Sequence, residues 1–203
     1  IKLITRDASD RIVDFACKYL KDNGYKRLTG VHKANIMKIS DGLFLRVFDE
    51  VSRRNGIERL EKGEAPDRVY ADDVIVDAAA INPEKFDVLV MPNLYGDILS
   101  DLCAGLVGGL GIIPSANIGE DYAVFEAVHG SAPQIAGQGI ANPTALIQSA
   151  VMMLRYIGEH EAALKIENAL KEVFDKGRVI TTDLGGKAST DEFADELCRL
   201  IKG

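Results

Sequence analysis

Phe86-Asp87-Val88-Leu89-Val90-Met91-Pro92-Asn93-Leu94-Tyr95-Gly96-Asp97-Ile98-Leu99-Ser100-Asp101 passes from a strand-like apolar run into a helix-like segment. The run Phe86 to Val90 is continuous enough to be buried on both faces of a sheet, the mark of a parallel strand. Asp97 and Asp101 then stand at i and i+4, which puts both carboxylates on one face of a helix. Two like charges held together call for a cation. An all-oxygen pair suits a hard ion such as Mg²⁺ or Mn²⁺ rather than zinc. The plainer alternative is an acidic helix start, favoured by the helix dipole. Upstream, Val74-Ile75-Val76 also reads as a strand and ends beside Asp77. Both runs thus lead to carboxylates at strand carboxyl ends, where α/β proteins commonly place their chemistry.

Around this centre helix and strand signals alternate, as expected of an α/β protein. Ile12, Phe15, Ala16, Tyr19 and Leu20 recur at helical spacing, and Asn23-Gly24 ends that helix. A short strand is expected through Leu28 to His32. Ser40 and Asp41 offer N-caps to a helix with an apolar face of Leu43, Phe44, Val47, Phe48 and Val51. The polar stretch from Arg53 to Arg68 reads as a surface excursion. The glycine-rich segment Gly105 to Gly111 implies tight packing or a hinge, so a domain crossing is expected near residue 108. Beyond it, Asn142-Pro143 predicts an N-cap and first helical residue, launching a helix to Gly158. Another helix is expected over about 160 to 176, closed by Gly177. Ser189 and Glu192 form a capping box for a last helix carrying Phe193, Leu197, Leu200 and Ile201 inward.

A net charge of −7, with pI near 5.0 and no basic run, argues against a nucleic-acid surface or a polybasic membrane anchor. No apolar run is long enough to span a bilayer. Cys17, Cys103 and Cys198 form no CxxC pair and are odd in number, which fits a reducing compartment and three small apolar side chains. The chain opens on Ile1 rather than Met, so its natural N-terminus is expected to lie upstream.

A second chemical signal lies in Phe125-Glu126-Ala127-Val128-His129-Gly130-Ser131-Ala132-Pro133-Gln134-Ile135-Ala136-Gly137, read as a loop. Small residues there let a backbone approach a flat or phosphorylated ligand, and His129 can stack on or hydrogen-bond a base. Gly137-Gln138-Gly139-Ile140-Ala141-Asn142 imitates a Rossmann fingerprint, but it lacks the preceding strand and the third glycine.

Together, Val31-His32-Lys33-Ala34-Asn35-Ile36-Met37-Lys38 with Asp41-Gly42-Leu43-Phe44, the Asn93–Asp101 segment, Pro114 to Gly119, Phe125 to Gly137 and Ala141-Asn142-Pro143-Thr144 resemble a family. It is that of the metal-dependent β-decarboxylating dehydrogenases, the isocitrate/isopropylmalate dehydrogenases. Within it, His32 before Lys33 and Glu126-Ala127-Val128-His129 are most similar to the NAD-dependent isocitrate branch, in its catalytic-type subunit. The resemblance implies a two-domain α/β sheet architecture whose N-terminal part is absent here. Residues 1–108 would be the small, dimer-forming domain for substrate and metal, and 109–203 the C-terminal part of the large dinucleotide-binding domain.

The resemblance further implies that Lys33 assists proton removal from the substrate hydroxyl and that Asn35 contacts substrate or nicotinamide. Asp97 and Asp101 would bind Mg²⁺ or Mn²⁺, with Asp77 as a third carboxylate given across a dimer interface, so that Lys33 and Asp77 both serve the site of the neighbouring subunit. His129, Gly130, Ser131, Ala132, Gln134, Ile135 and Asn142 fall in the region that holds the adenosine half of NAD. Gln134 replaces the aspartate common in NAD users, and neither it nor Ile135 offers a cation to a 2′-phosphate. The implied reaction is oxidative decarboxylation of isocitrate to 2-oxoglutarate in a homodimer or hetero-oligomer sharing sites between subunits. The compartment would be the mitochondrial matrix in a eukaryote and the cytoplasm otherwise. Homoisocitrate or 3-isopropylmalate as substrate, and a noncatalytic regulatory subunit, are the alternatives. The family's arginines for substrate and its proton-donating tyrosine have no match here, Tyr95 being the only substitute, so the 203 residues alone are expected to be inactive.

Overall fold

The computed structural model describes residues 2–57, 67–76 and 82–202, and these form two compact units dividing between Cys103 and Ala104. In the first unit α1 (Arg6–Asp22) starts on Thr5, whose side chain accepts from the Ala8 N–H. It stops at Asn23, followed by Gly24 with φ of +68°. Then come β1 (Leu28–His32), α2 (Ser40–Arg54), β2 (Asp67–Tyr70), α3 (Ala71–Val76), β3 (Val88–Val90) and α4 (Asn93–Val107). The three strands are parallel in the order β2-β1-β3, with Gly30 of β1 opposite both Arg68 and Val90.

Both faces of this sheet are covered, as a parallel sheet requires. Leu28, Val88 and Val90 pack with Val13, Cys17 and Leu20 of α1 and Phe44, Val47, Phe48 and Val51 of α2. On the opposite face Val31 meets Val74 of α3 and Leu99 of α4. Gly30 is where α2 presses hardest, because a Cβ there would lie 2.9 Å from the Phe48 ring. Ile12, Phe15 and Tyr19 share the helical spacing of α1 but remain 41 to 44% exposed. They line a cleft of about 520 Å³ against β3 and α4.

Two expectations fail in this unit. Val74 to Val76 is helical, and the strand lies just upstream at Asp67–Tyr70, beginning within the last two residues of the stretch read as a surface excursion. A three-residue apolar run cannot distinguish a buried helical turn from a strand; pairing with β1 decides it. The second failure concerns the caps of α2. Ile39 holds the N-cap position without a side-chain bond, and Asp41 lies inside the first turn, buried and turned toward other partners.

The solvent edge of α1 and α2 is fastened by charge. Arg54 donates to Asp10 at 2.8 Å and to Asp14 at 3.3 Å, while Lys18 pairs with Asp14 at 2.7 Å. Lys18, Asn55 and Arg54 hold the Asp14 carboxyl down to about 2 against the opposing effect of burial. A carboxylate depressed in the folded state stabilises fully above its unfolded value near 3.8 and loses that contribution as pH falls toward 2. Arg54→Leu should therefore lower the melting temperature at pH 5 to 7, and the gap to wild type should close as pH approaches 2. A gap that widened on acidification would refute this assignment.

In the second unit β4 (Pro114–Ile118) and β5 (Ala123–Ala127) form an antiparallel hairpin, so the first three residues of the expected loop belong to a strand. Helix α5 (Thr144–Tyr156) braces it: the buried Ser149 hydroxyl lies 2.7 Å from the Glu126 carbonyl and accepts from the Ser115 N–H at 3.3 Å. The start falls one residue later than expected, with Pro143 at the N-cap position and Thr144 first in the helix, while Asn142 Oδ1 accepts from the Thr144 N–H at 3.0 Å. Helices α6 (His160–Lys176) and α7 (Thr190–Lys202) pack through Leu170, Val173, Phe193 and Leu197. Gly177 closes α6 with φ of +62°, and Ser189 and Glu192 make the reciprocal capping bonds at 2.8 and 3.1 Å. Ile201 does not turn inward but is 37% exposed. Cys198 is also exposed, unlike buried Cys17, so only part of the cysteine set behaves as apolar filling.

Candidate functional site

Lys33 and Asp97 leave the carboxyl ends of adjacent parallel strands. Gly30 pairs with Val90, so the turn after β1 and the start of α4 emerge from the same edge of the sheet. The Lys33 carbonyl accepts from Ile36 and Met37 N–H at 3.0 and 2.8 Å, which folds residues 33 to 37 into a turn. His32 is buried, and its Nδ1 accepts from the Ala34 N–H at 3.1 Å. Lys33 is half-buried and engaged, whereas Asn35, two residues on, is exposed.

Asp97 and Asp101 are exposed one turn apart on α4. The first turn of α4 holds no acidic residue, so the helix dipole gives no account of either one. Their donor set is oxygen only and four residues apart, which fits a hard dication that keeps waters or takes further oxygens from a substrate. No cluster of three His, Cys, Asp or Glu side chains suited to a metal occurs among the described residues. Asp77, the third expected ligand, lies outside the described residues.

A residue that local reading assigned to capping joins these two parts. Asp41 is fully buried and accepts from the Lys33 N–H at 2.9 Å, the Tyr95 hydroxyl at 2.7 Å and Lys2 Nζ at 2.5 Å. Burial pushes its carboxyl up, but Lys2, Tyr95 and the Lys33 N–H together hold it below the usual carboxylate range. Burial also opposes the Lys2 charge, yet Asp41 and Tyr95 hold that ammonium above its ordinary value. The Tyr95 hydroxyl is engaged with Asp41. Burial, with the neighbouring carboxylate, makes it a weaker acid than usual, against the opposing effect of Lys2.

The second unit holds the expected dinucleotide residues along one loop. His129, Gly130, Ser131, Ala132 and Gln134 are exposed, and Ile135 is half-buried. A Cβ at Gly130 would meet nothing within 4 Å, and Ala132 adopts a left-handed backbone with φ of +44°. This open, small-residue path fits close approach by a flat group such as adenine. The back of the loop is fixed: Thr190 donates to the Gly139 and Ala141 carbonyls, and the Asn142 amide donates to Asp183 at 3.0 Å. Asn142 thereby braces the loop through Asp183 and Thr144.

Residues 1–197 match the family described as isocitrate/isopropylmalate dehydrogenase. The alpha subunit of mitochondrial NAD isocitrate dehydrogenase from Sus scrofa is 52% identical over all of this chain and 54% of its own length. A mitochondrial regulatory subunit of NAD isocitrate dehydrogenase from Dictyostelium discoideum is 51% identical over 99% of this chain and 55% of its own length. Among solved structures, isocitrate dehydrogenase from Methylococcus capsulatus superposes with a TM-score of 0.92 at 44% identity, covering 100% of this chain and 58% of that one. The chain spans about half the length of the curated relatives it matches.

Proposed function

The chain belongs to the isocitrate/isopropylmalate dehydrogenase family, and we propose that it is part of a catalytic, NAD-dependent subunit that oxidatively decarboxylates isocitrate to 2-oxoglutarate. The observation that carries this reading is the emergence of Lys33 and of the Asp97/Asp101 helix from one edge of a parallel sheet. In this reading residues 1–108 serve substrate and metal, and 109–203 serve the dinucleotide. Asp97 and Asp101, with Asp77 from a second subunit, would hold Mg²⁺ or Mn²⁺. That ion supplies Lewis acidity to the substrate hydroxyl and offsets charge as CO₂ departs. Lys33 accepts the hydroxyl proton, directly or through water, and Asn35 contacts substrate or nicotinamide. His129 to Ile135 present an open backbone to the adenosine half.

The full-length protein should form NADH from isocitrate only with Mg²⁺ or Mn²⁺, and faster than from homoisocitrate or 3-isopropylmalate. NAD should give the higher kcat/KM. The preference should be modest, because neutral Gln134 repels a 2′-phosphate less than a carboxylate would. Gln134→Asp should widen it roughly tenfold. A higher kcat/KM with NADP would overturn the cofactor reading. The relative named as regulatory supports a second reading, in which citrate or nucleotide binds without turnover. Retention of Lys33, Asp97 and Asp101 favours catalysis, since regulation alone requires none of the three.

A further inference from the structure

Two exposed surfaces of the first unit are complementary to each other. The turn of residues 33 to 39 presents apolar side chains to solvent, with Ile36 70% and Ile39 89% exposed, and its only charged residues are Lys33 and Lys38. On α4, Leu94, Ile98 and Asp101 recur at i, i+4 and i+7 and share a face with Asp97, away from the buried Leu99. Leu94 is 56% and Ile98 50% exposed, and the only charged residues from Asn93 to Asp101 are the two aspartates. One surface is therefore apolar and basic, the other apolar and acidic. Isolated exposed aliphatic residues are ordinary, whereas adjoining ones rimmed by polar groups mark a contact. Opposite charge on two such surfaces selects the partner and fixes its orientation.

Within one copy these surfaces do not cover each other, since all four aliphatic side chains remain at least half exposed. Both leave the same edge of the parallel sheet, because β1 and β3 are paired neighbours. A two-fold axis beside that edge lays each turn on the helix of the other copy, and the two contacts close a dimer. We infer that a second copy of this chain occupies both surfaces: Ile36 and Ile39 of one copy pack on Leu94 and Ile98 of the other, with Lys33 and Lys38 facing Asp97 and Asp101 across the contact. The turn is already ordered for this role. The Lys33 carbonyl accepts from the Ile36 and Met37 N–H, and Asp41 accepts from the Lys33 N–H at 2.9 Å, so little conformational freedom is lost on docking. The contact stands on surface chemistry alone, whereas its reading as the point where Lys33 enters the neighbouring active site rests on the roles proposed above for Lys33 and Asp97. In that reading the carboxylates of isocitrate keep the site negative once an ion has neutralised the aspartates, so the attraction on the lysines persists.

The test uses the full-length protein. Isotopically heavy and light copies are mixed, allowed to exchange and treated with a carbodiimide, which condenses a lysine with a carboxylate it touches. Mass spectrometry should find mixed-isotope peptides joining Lys33 or Lys38 to Asp97 or Asp101. Ile39→Asp sets a carboxylate against the acidic helix face in both contacts of the dimer. A loss of roughly tenfold in each should raise the dimer dissociation constant roughly a hundredfold, read by sedimentation. Ile39 is 89% exposed, so the subunit should fold with the change. Ile98→Lys, on the opposing surface, should weaken association to a similar degree. If the upstream part of the same polypeptide covers these surfaces instead, Ile39→Asp leaves the dimer intact and lowers the melting temperature independently of protein concentration. That result, a monomeric wild type, a dissociation constant within twofold of wild type in either variant, or the absence of mixed-isotope links between the two segments would each overturn the inference. Lys33→Met run alongside separates the two levels. If it keeps full turnover, the proposed role of Lys33 fails, and the sedimentation and cross-linking data still decide the contact.

Discussion

Lys33→Met in the full-length enzyme should lower kcat for NADH formation by about 10² to 10⁴, the usual contribution of a positioned acid or base. The variant should keep its fold, because the bonds that shape this turn are made by the Lys33 backbone. The N–H donates to Asp41 and the carbonyl accepts from Ile36 and Met37, and methionine retains all three. An aliphatic side chain of similar length preserves the packing of the stem and removes only the ammonium. Stopped-flow absorbance at saturating isocitrate, NAD and Mg²⁺ would measure the loss. A kcat within twofold of wild type would remove Lys33 from the chemistry and leave it a binding residue at most. Methionine also separates charge from proton transfer when compared with Lys33→Arg. Arginine keeps the cation but cannot give up a proton near neutral pH, so it should stay slow while binding substrate better than methionine does.

The parts of this fold that could be read in advance are those set by local pattern. Helix α2 is dictated by Leu43, Phe44, Val47, Phe48 and Val51, and α7 by the Ser189–Glu192 box, whose reciprocal bonds are present. Strand β3 was legible because Val88 to Val90 is apolar on both faces and, although outermost in the order β2-β1-β3, touches a packed layer on each side. Strand β2 was not, because Asp67-Arg68-Val69-Tyr70 carries two charges and becomes a strand only through its pairing with β1. The hairpin β4–β5 escaped for a related reason: Pro114, Ser115, Ala116 and Asn117 are weak strand formers, held by register and by Ser149. Asp41 is the sharpest case in the candidate site. Within its own turn it looks like a cap, but its partners Lys2 and Tyr95 lie 39 and 54 residues away. No local window contains them, whereas Asp97 and Asp101 are legible because their relation is a single helical turn.

Asp97→Asn should reduce Mn²⁺ affinity on the order of a hundredfold, since oxygen sites for hard cations are tuned largely by ligand charge. The same substitution should slightly raise the melting temperature without metal. Asp97 and Asp101 are exposed like charges at i and i+4, a pairing that destabilises a helix, and neither lies in the first turn where the dipole would compensate. The loss of Mn²⁺ affinity distinguishes a ligand from a solvated acidic face, which would show the metal-free stability gain alone. Electron paramagnetic resonance of free Mn²⁺ and thermal melts in chelator read the two quantities separately. Unchanged Mn²⁺ affinity would sink the metal assignment. If Lys33 serves the neighbouring subunit of a homodimer, Asp97→Asn and Lys33→Met also complement each other. In a mixed dimer one site combines both defects and the other combines the intact Asp97 and the intact Lys33. Random exchange of the two inactive variants should therefore restore about a quarter of wild-type turnover. Failure to recover activity, with mixed dimers demonstrated by mass spectrometry, would place Lys33 and Asp97 in the site of a single subunit.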